Sequence, residues 1–164
     1  MRIELLRTED RFAAEELWSL QHAAYRVEAA LIGVADLPPL RDTIETIGVS
    51  RGIVWGARDE DGELAGAIEI EEGARELTIA KLMVHPAFFR RGIGSALLNH
   101  ALAAYPVGKA WLVTAEVRNK PAIALYEKAG FRADYTFQPR EDITMQLMRR
   151  EERPGLPSRS PPRR

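Results

Sequence analysis

The fold of this chain is decided by one stretch, Val84-His85-Pro86-Ala87-Phe88-Phe89-Arg90-Arg91-Gly92-Ile93-Gly94-Ser95-Ala96-Leu97-Leu98. An apolar strand pattern ends at Pro86, which has no amide to donate within a central strand, and a helical apolar pattern begins at Ile93. Arginines, glycines and small residues occupy the junction. The free amides and the positive dipole end of such a helix start suit an anion such as a phosphate.

Two common nucleotide-binding patterns do not fit this junction. A dinucleotide fingerprint needs a third glycine where Leu97 stands, early in a βαβ unit. A Walker A loop needs Ser or Thr after Gly-Lys, but Gly108-Lys109 is followed by Ala110. Dinucleotide binding and phosphoryl transfer are therefore not supported.

Upstream of the junction, the pattern predicts three strands. Residues 53–58 and 64–71 form a hairpin through an Asp-Gly turn, and a second turn leads into residues 76–84. Pairing across that second turn places Glu69 opposite Thr78 on one sheet face. The other face then collects the apolar side chains of Ile68, Ile70, Leu77 and Ile79.

The first third of the chain reads as one strand and several helical pieces. Residues 3–5 alternate as a short strand, and a helix is expected from about residue 11 to 25. The segment 26–40 begins helical and breaks at Pro38-Pro39, and residues 40–47 form a second short helix.

Downstream of the junction, strands and helices alternate. A helix over residues 92–105 connects to a buried strand at 110–115, so this strand and the one at 76–84 are expected to be parallel neighbours. A helix follows at 119–129, capped by Asn119 and stopped by Gly130. Residues 131–137 and 143–148 close the sheet.

Composition fits one globular domain, residues 1–150, followed by a Pro- and Arg-rich tail, 151–164, that is expected to be disordered. Of the 164 residues 46% are apolar and 29% charged, with a formal net charge of -1, so nucleic acid is not the expected partner. The chain has no cysteine, which excludes disulfides and thiolate nucleophiles.

The N-terminal residues carry charges and no apolar run approaches the ~18 residues of a membrane helix. A cytoplasmic protein without membrane partners is therefore expected. His22 and His100 have no metal-like spacing with other ligand types, so no metal is expected.

Three segments resemble the GNAT superfamily of N-acetyltransferases. Arg91-Gly92-Ile93-Gly94-Ser95-Ala96 fits the superfamily signature, Leu82-Met83-Val84-His85-Pro86 looks like its fourth strand, and residues 119–131 look like its second cofactor motif. The resemblance implies an α/β (α+β) fold, with a mixed, mostly antiparallel sheet of about six or seven strands flanked by helices. That sheet is splayed between strands 4 and 5. It also implies acetyl-CoA as cosubstrate.

The same resemblance implies which residues bind the cofactor. The pyrophosphate would sit on the glycine-rich turn, with an arginine adding charge, and the pantetheine arm would pair with the fourth strand. The residues so implied are Met83, Val84, Arg90, Arg91, Gly92, Ile93, Gly94, Ser95, Ala96 and Asn119.

Tyr126 matches the family's usual general acid, because a phenol can protonate the departing thiolate. The base is left open between Glu69 and Glu116, since Thr78 stands where some relatives carry a glutamate. His85 is read as structural.

The first helices flank the acceptor side in the family, which suggests Tyr25, Glu28 and Trp55 as acceptor-binding residues. The acceptor is a small-molecule or peptide amine of unspecified identity. The exposed face of the closing hairpin would support a homodimer. The alternatives are a non-catalytic CoA or acyl-CoA sensor on this fold, and an interaction module that uses the basic tail.

Overall fold

The computed structural model describes residues 1–105 and 108–151. In this part of the chain a seven-stranded sheet is flanked by four α-helices. The strands are β1 (Arg2–Leu6), β2 (Ile53–Arg58), β3 (Leu64–Glu72), β4 (Glu76–Val84), β5 (Ala110–Glu116), β6 (Arg132–Arg140) and β7 (Ile143–Arg150). The helices are α1 (Arg11–Ile32), α2 (Ile44–Gly48), α3 (Ile93–Ala104) and α4 (Lys120–Lys128), with short 3-10 turns at Pro38–Arg41 and Pro86–Phe88.

Helix α1 is longer than the sequence pattern suggests. It runs unbroken from Arg11 to Ile32 and ends at Gly33, whose φ of 79° is the left-handed conformation of a C-terminal glycine. The break expected at Pro38-Pro39 is confirmed, since a 3-10 turn begins there. No helix in the described ranges combines the length and apolarity needed to cross a membrane. The expectation of a disordered tail falls on residues 152–164, which lie outside the described residues.

The sheet is antiparallel except at its centre. Its strand order is β1-β2-β3-β4-β5-β7-β6, and β4 and β5 are the parallel pair. Their pairing runs from Glu76 opposite Ala110 to Ile79 opposite Val113 and goes no further. Beyond Ile79 the two strands separate, which confirms the splay between strands 4 and 5.

The register of β3 on β4 differs from the sequence-based expectation. Glu69 lies opposite Lys81, and Glu71 lies opposite Thr78. The predicted pairing of Glu69 with Thr78 is wrong because the turn is displaced, with Glu72 opposite Leu77, and because a β-bulge interrupts the ladder between Glu69 and Ile70.

Each face of the sheet has its own apolar core. Leu17 and Leu20 of α1 pack on the face that carries Val54, Ala67 and Met83. The opposite face packs against α3 and α4. It contains the predicted set Ile68, Ile70, Leu77 and Ile79 in one cluster with Leu97, Leu98, Trp111, Tyr126 and Phe131. The closing hairpin adds β6 as an edge strand, which accommodates Pro139 where a central strand would lose a hydrogen bond.

Candidate functional site

Helix α3 begins with a set of free amides beside the end of β4. Gly92 precedes the helix at a φ of 74°, a conformation that costs glycine little. The amides of Ile93, Gly94 and Ser95 belong to the first turn, where no intrahelical acceptor exists. The Ala96 amide, in contrast, donates to the Gly92 carbonyl at 3.0 Å. The set of amides that are free to bind an anion is therefore smaller than the predicted set, because it excludes Ala96.

A cavity of about 570 Å³ lies in front of these amides, and we call it the α3 cavity. All predicted cofactor residues line it except Ala96 and Arg91, whose guanidinium lies 5.2 Å from the ring centre of Phe88. Its wall combines the end of β4, the start of α3, and parts of α1 and α4. The residues that line it include Met83, Val84, Arg90, Gly92, Ile93, Gly94, Ser95, Asn119 and Tyr126.

A second cavity of about 340 Å³ occupies the gap between β4 and β5, and we call it the β5 cavity. Its floor is formed by residues 79–82 of β4 and 113–116 of β5. Its rim comes from segments that the sequence reading did not assign to a site. The only signal for them was the Pro38-Pro39 break in the loop after α1 and Pro139 in the closing hairpin.

The two cavities meet. Their walls share Tyr25, Glu28, Leu82, Asn119, Ala122 and Tyr126. The structure thus brings the predicted acid, one predicted cofactor residue and two predicted acceptor residues together at a single junction. A group lying in the α3 cavity and a group lying in the β5 cavity would face each other there.

Glu28 is the acidic residue of the junction. Its Oε1 accepts a hydrogen bond from Nδ2 of Asn119 at 2.9 Å. Burial raises the pKa of Glu28 above its usual value, the Asn119 bond opposes that shift, and the nearby charge of Glu116 adds to it. Within residues 1–105 and 108–151, no cation forms an ion pair with Glu28.

Two phenols flank this carboxylate. Tyr126 on α4 is 5% exposed and packs edge-on against Phe131, with ring centres 5.7 Å apart. Burial, with a smaller contribution from Glu28, raises the pKa of Tyr126. Burial raises the pKa of Tyr25 as well, and the charge of Glu28 adds to the effect. Both phenols therefore remain protonated through the physiological pH range and can act as donors.

Glu116 also lines the β5 cavity, but its carboxylate is already bonded. Oε1 accepts from the Arg118 amide and Nε, and Oε2 accepts from Arg118 Nη2 and the Thr144 amide, at distances of 2.8 to 2.9 Å. These bonds, chiefly those from the Arg118 side chain, lower the pKa of Glu116 to about 2. A carboxylate with this pKa and with occupied oxygens is a poor proton acceptor, so the geometry does not support the predicted role of base.

Glu69 lies away from the junction. It accepts from the Ser50 hydroxyl at 2.7 Å, and Nζ of Lys81 lies 3.8 Å from its Oε2. Lys81 also donates to Gln21 and Asp42. Glu69 lines neither the α3 nor the β5 cavity but a third one of about 250 Å³ beneath α1 and α2. The expectation that Glu69 acts beside Tyr126 is not supported, because its carboxylate belongs to this polar cluster.

Trp55 is also remote from the acceptor side. Its ring lies against His100 of α3, with ring centres 4.6 Å apart, and it lines neither cavity of the junction. Its position on β2 puts the side chain on the α3 face of the sheet, whereas the α1 residues Tyr25 and Glu28 approach from the other side. The predicted acceptor role of Trp55 is therefore corrected to packing against α3.

Comparison with known proteins agrees with this geometry. The family described as the acetyltransferase (GNAT) domain matches residues 50–133. UPF0157 protein YqkA of Bacillus subtilis (strain 168) is 35% identical over 146 residues, which cover 88% of this chain and 42% of that protein. Peptidyl-lysine N-acetyltransferase YiaC of Escherichia coli (strain K12) is 33% identical over 95 residues, 58% of each chain. The chain thus spans less than two thirds of the length of both curated relatives.

A solved structure shows the same fold at lower identity. PaiA N-acetyltransferase from Thermoplasma acidophilum, in complex with coenzyme A, aligns with a TM-score of 0.71 and 19% identity, covering 92% of this chain and 99% of that one. At this identity the likeness concerns the fold alone. The family match, however, spans just over half of the 164 residues and includes every element from β2 to α4, and on that ground this chain belongs to the GNAT family of acetyltransferases.

Proposed function

We propose that this protein transfers the acetyl group of acetyl-CoA directly to an amine. The observation that carries the proposal is the junction at Tyr126, where a cavity that begins at free helix amides meets a separate cavity between β4 and β5. One cavity would hold the cosubstrate and the other the acceptor. The T. acidophilum protein of the same fold was solved in complex with coenzyme A, which supports coenzyme A as the cosubstrate.

The α3 cavity suits coenzyme A in its chemistry. The amides of Ile93, Gly94 and Ser95 would bind the pyrophosphate at the positive end of the helix dipole, and Arg90 would add a full charge. The pantetheine arm would lie along Met83 and Val84 at the end of β4, where no strand of the described residues pairs on the β5 side.

The amide of Val84 would stabilise charge on the reacting carbonyl. The His85 amide donates to the Ala65 carbonyl on the β3 side of the strand at 2.8 Å. Because successive amides along a strand point to opposite edges, the Val84 amide points toward the open cleft. An amide in this position would donate to the oxyanion of a tetrahedral state.

Transfer would be direct because the chain has no cysteine to carry an acetyl thioester. Tyr126 would give its proton to the sulfur of the departing coenzyme A. Its raised pKa keeps the phenol protonated until the thiolate forms, so the donor is present when it is needed.

The test is thiol release from acetyl-CoA across a panel of amines, measured on the wild type and on Tyr126→Phe. We expect the phenylalanine variant to lower turnover by at least about tenfold, a typical size for loss of a general acid, with acetyl-CoA affinity nearly unchanged. Tyr135→Phe is the matched control, since Tyr135 is 57% exposed on β6. Wild-type turnover in Tyr126→Phe would remove the acid role. Coenzyme A binding without thiol release for any amine would instead favour a sensor.

A further inference from the structure

We propose that the acceptor is an amine that carries one positive charge on a compact apolar body, and that Glu28 binds its ammonium group and takes its proton. This inference rests on the proposed function and adds the substrate class and the identity of the base. Asn119 is assigned as the positioning residue that holds Glu28 in place.

Asn119 uses both ends of its amide to fix Glu28 relative to Tyr126. Its Oδ1 accepts from the Ala122 amide at 3.3 Å and so caps helix α4, which carries Tyr126. Its Nδ2 donates to Glu28 Oε1 at 2.9 Å and so holds α1 against α4. In the described part of the chain Glu28 Oε2 accepts no hydrogen bond, which leaves this oxygen available to an acceptor N–H at the junction.

Glu28 is the uncompensated charge of the β5 cavity among its described lining residues. The other ionisable acid, Glu116, is neutralised by Arg118. The lysine of the wall, Lys81, directs its Nζ to Gln21 and Asp42. The phenols Tyr25 and Tyr126 face Glu28 in their neutral form. One ammonium would therefore balance the charge of the cavity, and a second would have no partner there.

Most of the rest of the wall is apolar, with Thr114 as an exposed polar residue, and the space is small. The rim and walls are formed by Leu37, Pro38, Pro39, Phe137, Pro139 and Met145. A volume of about 340 Å³ lies at the lower end of pockets that bind small molecules. A polyamine or an aminoglycoside would place further charges against these apolar side chains, and burying an unpaired charge is costly.

The protons balance in this arrangement. The ammonium gives one proton to the Glu28 carboxylate, which later releases it to solvent. The neutral nitrogen then attacks the thioester carbonyl, so that a C–N bond forms and, on collapse, the C–S bond breaks. The sulfur takes a proton from the Tyr126 hydroxyl, and the nitrogen's surplus proton restores that phenol. The products are the acetylated amine and coenzyme A thiol.

The first experiment compares three aromatic amines of similar shape, which differ in charge, with two polycationic amines. Thiol release is measured with phenethylamine, phenylalaninamide, phenylalanine, spermidine and kanamycin. We expect kcat/KM for the two apolar monoamines to exceed that for spermidine and kanamycin by at least about tenfold. Phenylalanine should be poorer than its amide, because its carboxylate is repelled by Glu28. Faster turnover of spermidine or kanamycin would overturn the substrate class while leaving acetyl transfer intact.

The second experiment tests Glu28 itself. Glu28→Gln keeps an acceptor for Asn119 and removes only the charge, so it should lower kcat/KM for phenethylamine by at least about tenfold and weaken phenethylamine binding to the coenzyme A complex. The acid limb of the wild-type pH profile should disappear. Glu127→Gln, on the exposed side of α4, is the control. An unchanged profile and unchanged amine binding in Glu28→Gln would refute the assignment.

A third variant separates positioning from structure. Asn119→Ser keeps a side-chain oxygen that can cap α4 but removes the amide group whose Nδ2 donates to Glu28. Since the Asn119 bond lowers the pKa of Glu28, its loss should move the acid limb to higher pH with little change in thermal stability. An acid limb at the same pH in Asn119→Ser as in the wild type would show that Asn119 does not position Glu28. Failure of the proposed function would appear in the wild type, either as absent coenzyme A binding in a direct titration or as no thiol release for any amine. Failure of the Glu28 or Asn119 assignment would leave both intact in the wild type.

Discussion

The two cavities that meet at Tyr126 are built in different ways. The α3 cavity presents backbone amides from three consecutive residues, Ile93 to Ser95, next to the strand end at Met83 and Val84. The β5 cavity presents side chains from α1, the Pro38–Arg41 turn, α4 and four strands, β4 to β7. A backbone site depends on spacing and on small residues, whereas a side-chain site depends on which distant segments the fold brings together.

Binding at the backbone amides can be lost without unfolding the protein. Gly94→Asp is the change expected to lower acetyl-CoA affinity most. A Cβ at Gly94 would lie 3.6 Å from Leu125 and 3.7 Å from Val84, which is ordinary contact. An acidic residue in the first turn of a helix is also favourable for the helix. A like charge about 4 Å from the pyrophosphate, however, costs on the order of 4 kcal/mol at an effective dielectric constant of about 20.

Acetyl-CoA affinity in Gly94→Asp should therefore fall by at least about a hundredfold, while the free energy of unfolding stays equal or rises by up to about 1 kcal/mol. Calorimetric titration and denaturant unfolding measure the two quantities. Gly94→Ala is the matched variant, since it adds the same Cβ without the charge. Tight binding of acetyl-CoA by Gly94→Asp would mean that the phosphates do not lie at these amides.

This difference in construction explains how far the sequence could be read. The splay was expected from the resemblance to the GNAT superfamily. The strand-to-helix junction and the apolar set of Ile68, Ile70, Leu77 and Ile79 follow from local signals: a proline that ends a strand, a glycine spacing, and apolar periods of two and of about four. The α3 cavity is made from those same residues, so it could be predicted, apart from Ala96 and Arg91. The bulge beside Glu69 could not be predicted, because nothing in the local sequence pattern marks which strand position carries an extra residue.

The β5 cavity was predicted less well for a physical reason. Glu28 and Asn119 are 91 positions apart in sequence, yet they share a hydrogen bond. Glu116 was one of two candidate bases, and only the structure reveals that its carboxylate is bonded to Arg118. Trp55 was expected on the acceptor side, but strand alternation directs it toward α3.

The two glutamates of the β5 cavity contribute differently to the stability of the fold. Replacing Glu116 by glutamine should reveal its contribution. The lowered pKa of Glu116, about 2 against an ordinary 4.5, means that the ionised form stabilises the fold above pH 4.5 and that this contribution is lost as pH falls toward 2. The shift corresponds to roughly 3 kcal/mol.

Glu116→Gln should thus be destabilised by about 2–3 kcal/mol at pH 7, and the gap to the wild type should narrow in acid. Denaturant unfolding at several pH values measures it, with the exposed Glu141→Gln as control. Equal stability of Glu116→Gln and the wild type at pH 7 would mean that Arg118 and the Thr144 amide contribute little through this carboxylate.

Glu28→Gln should have the smallest effect on stability, and of the opposite sign. Burial raises the pKa of Glu28, so the folded protein holds this proton more tightly than the unfolded chain does. Between the ordinary pKa of 4.5 and the raised value, stability is therefore lost as pH increases, because the fold must then accommodate an ionised carboxylate without a cation. Glutamine keeps the Asn119 bond and carries no charge. The free energy of unfolding of the variant should therefore match that of the wild type below pH 4.5 and exceed it at pH 8 by less than about 1 kcal/mol.

Added phenethylamine should reverse this order of stability in the coenzyme A complex, since an ammonium stabilises the charged residue only. If Glu28→Gln is instead less stable than the wild type at pH 8 without ligand, Glu28 has a cationic partner in the protein and is not free to receive one from the acceptor.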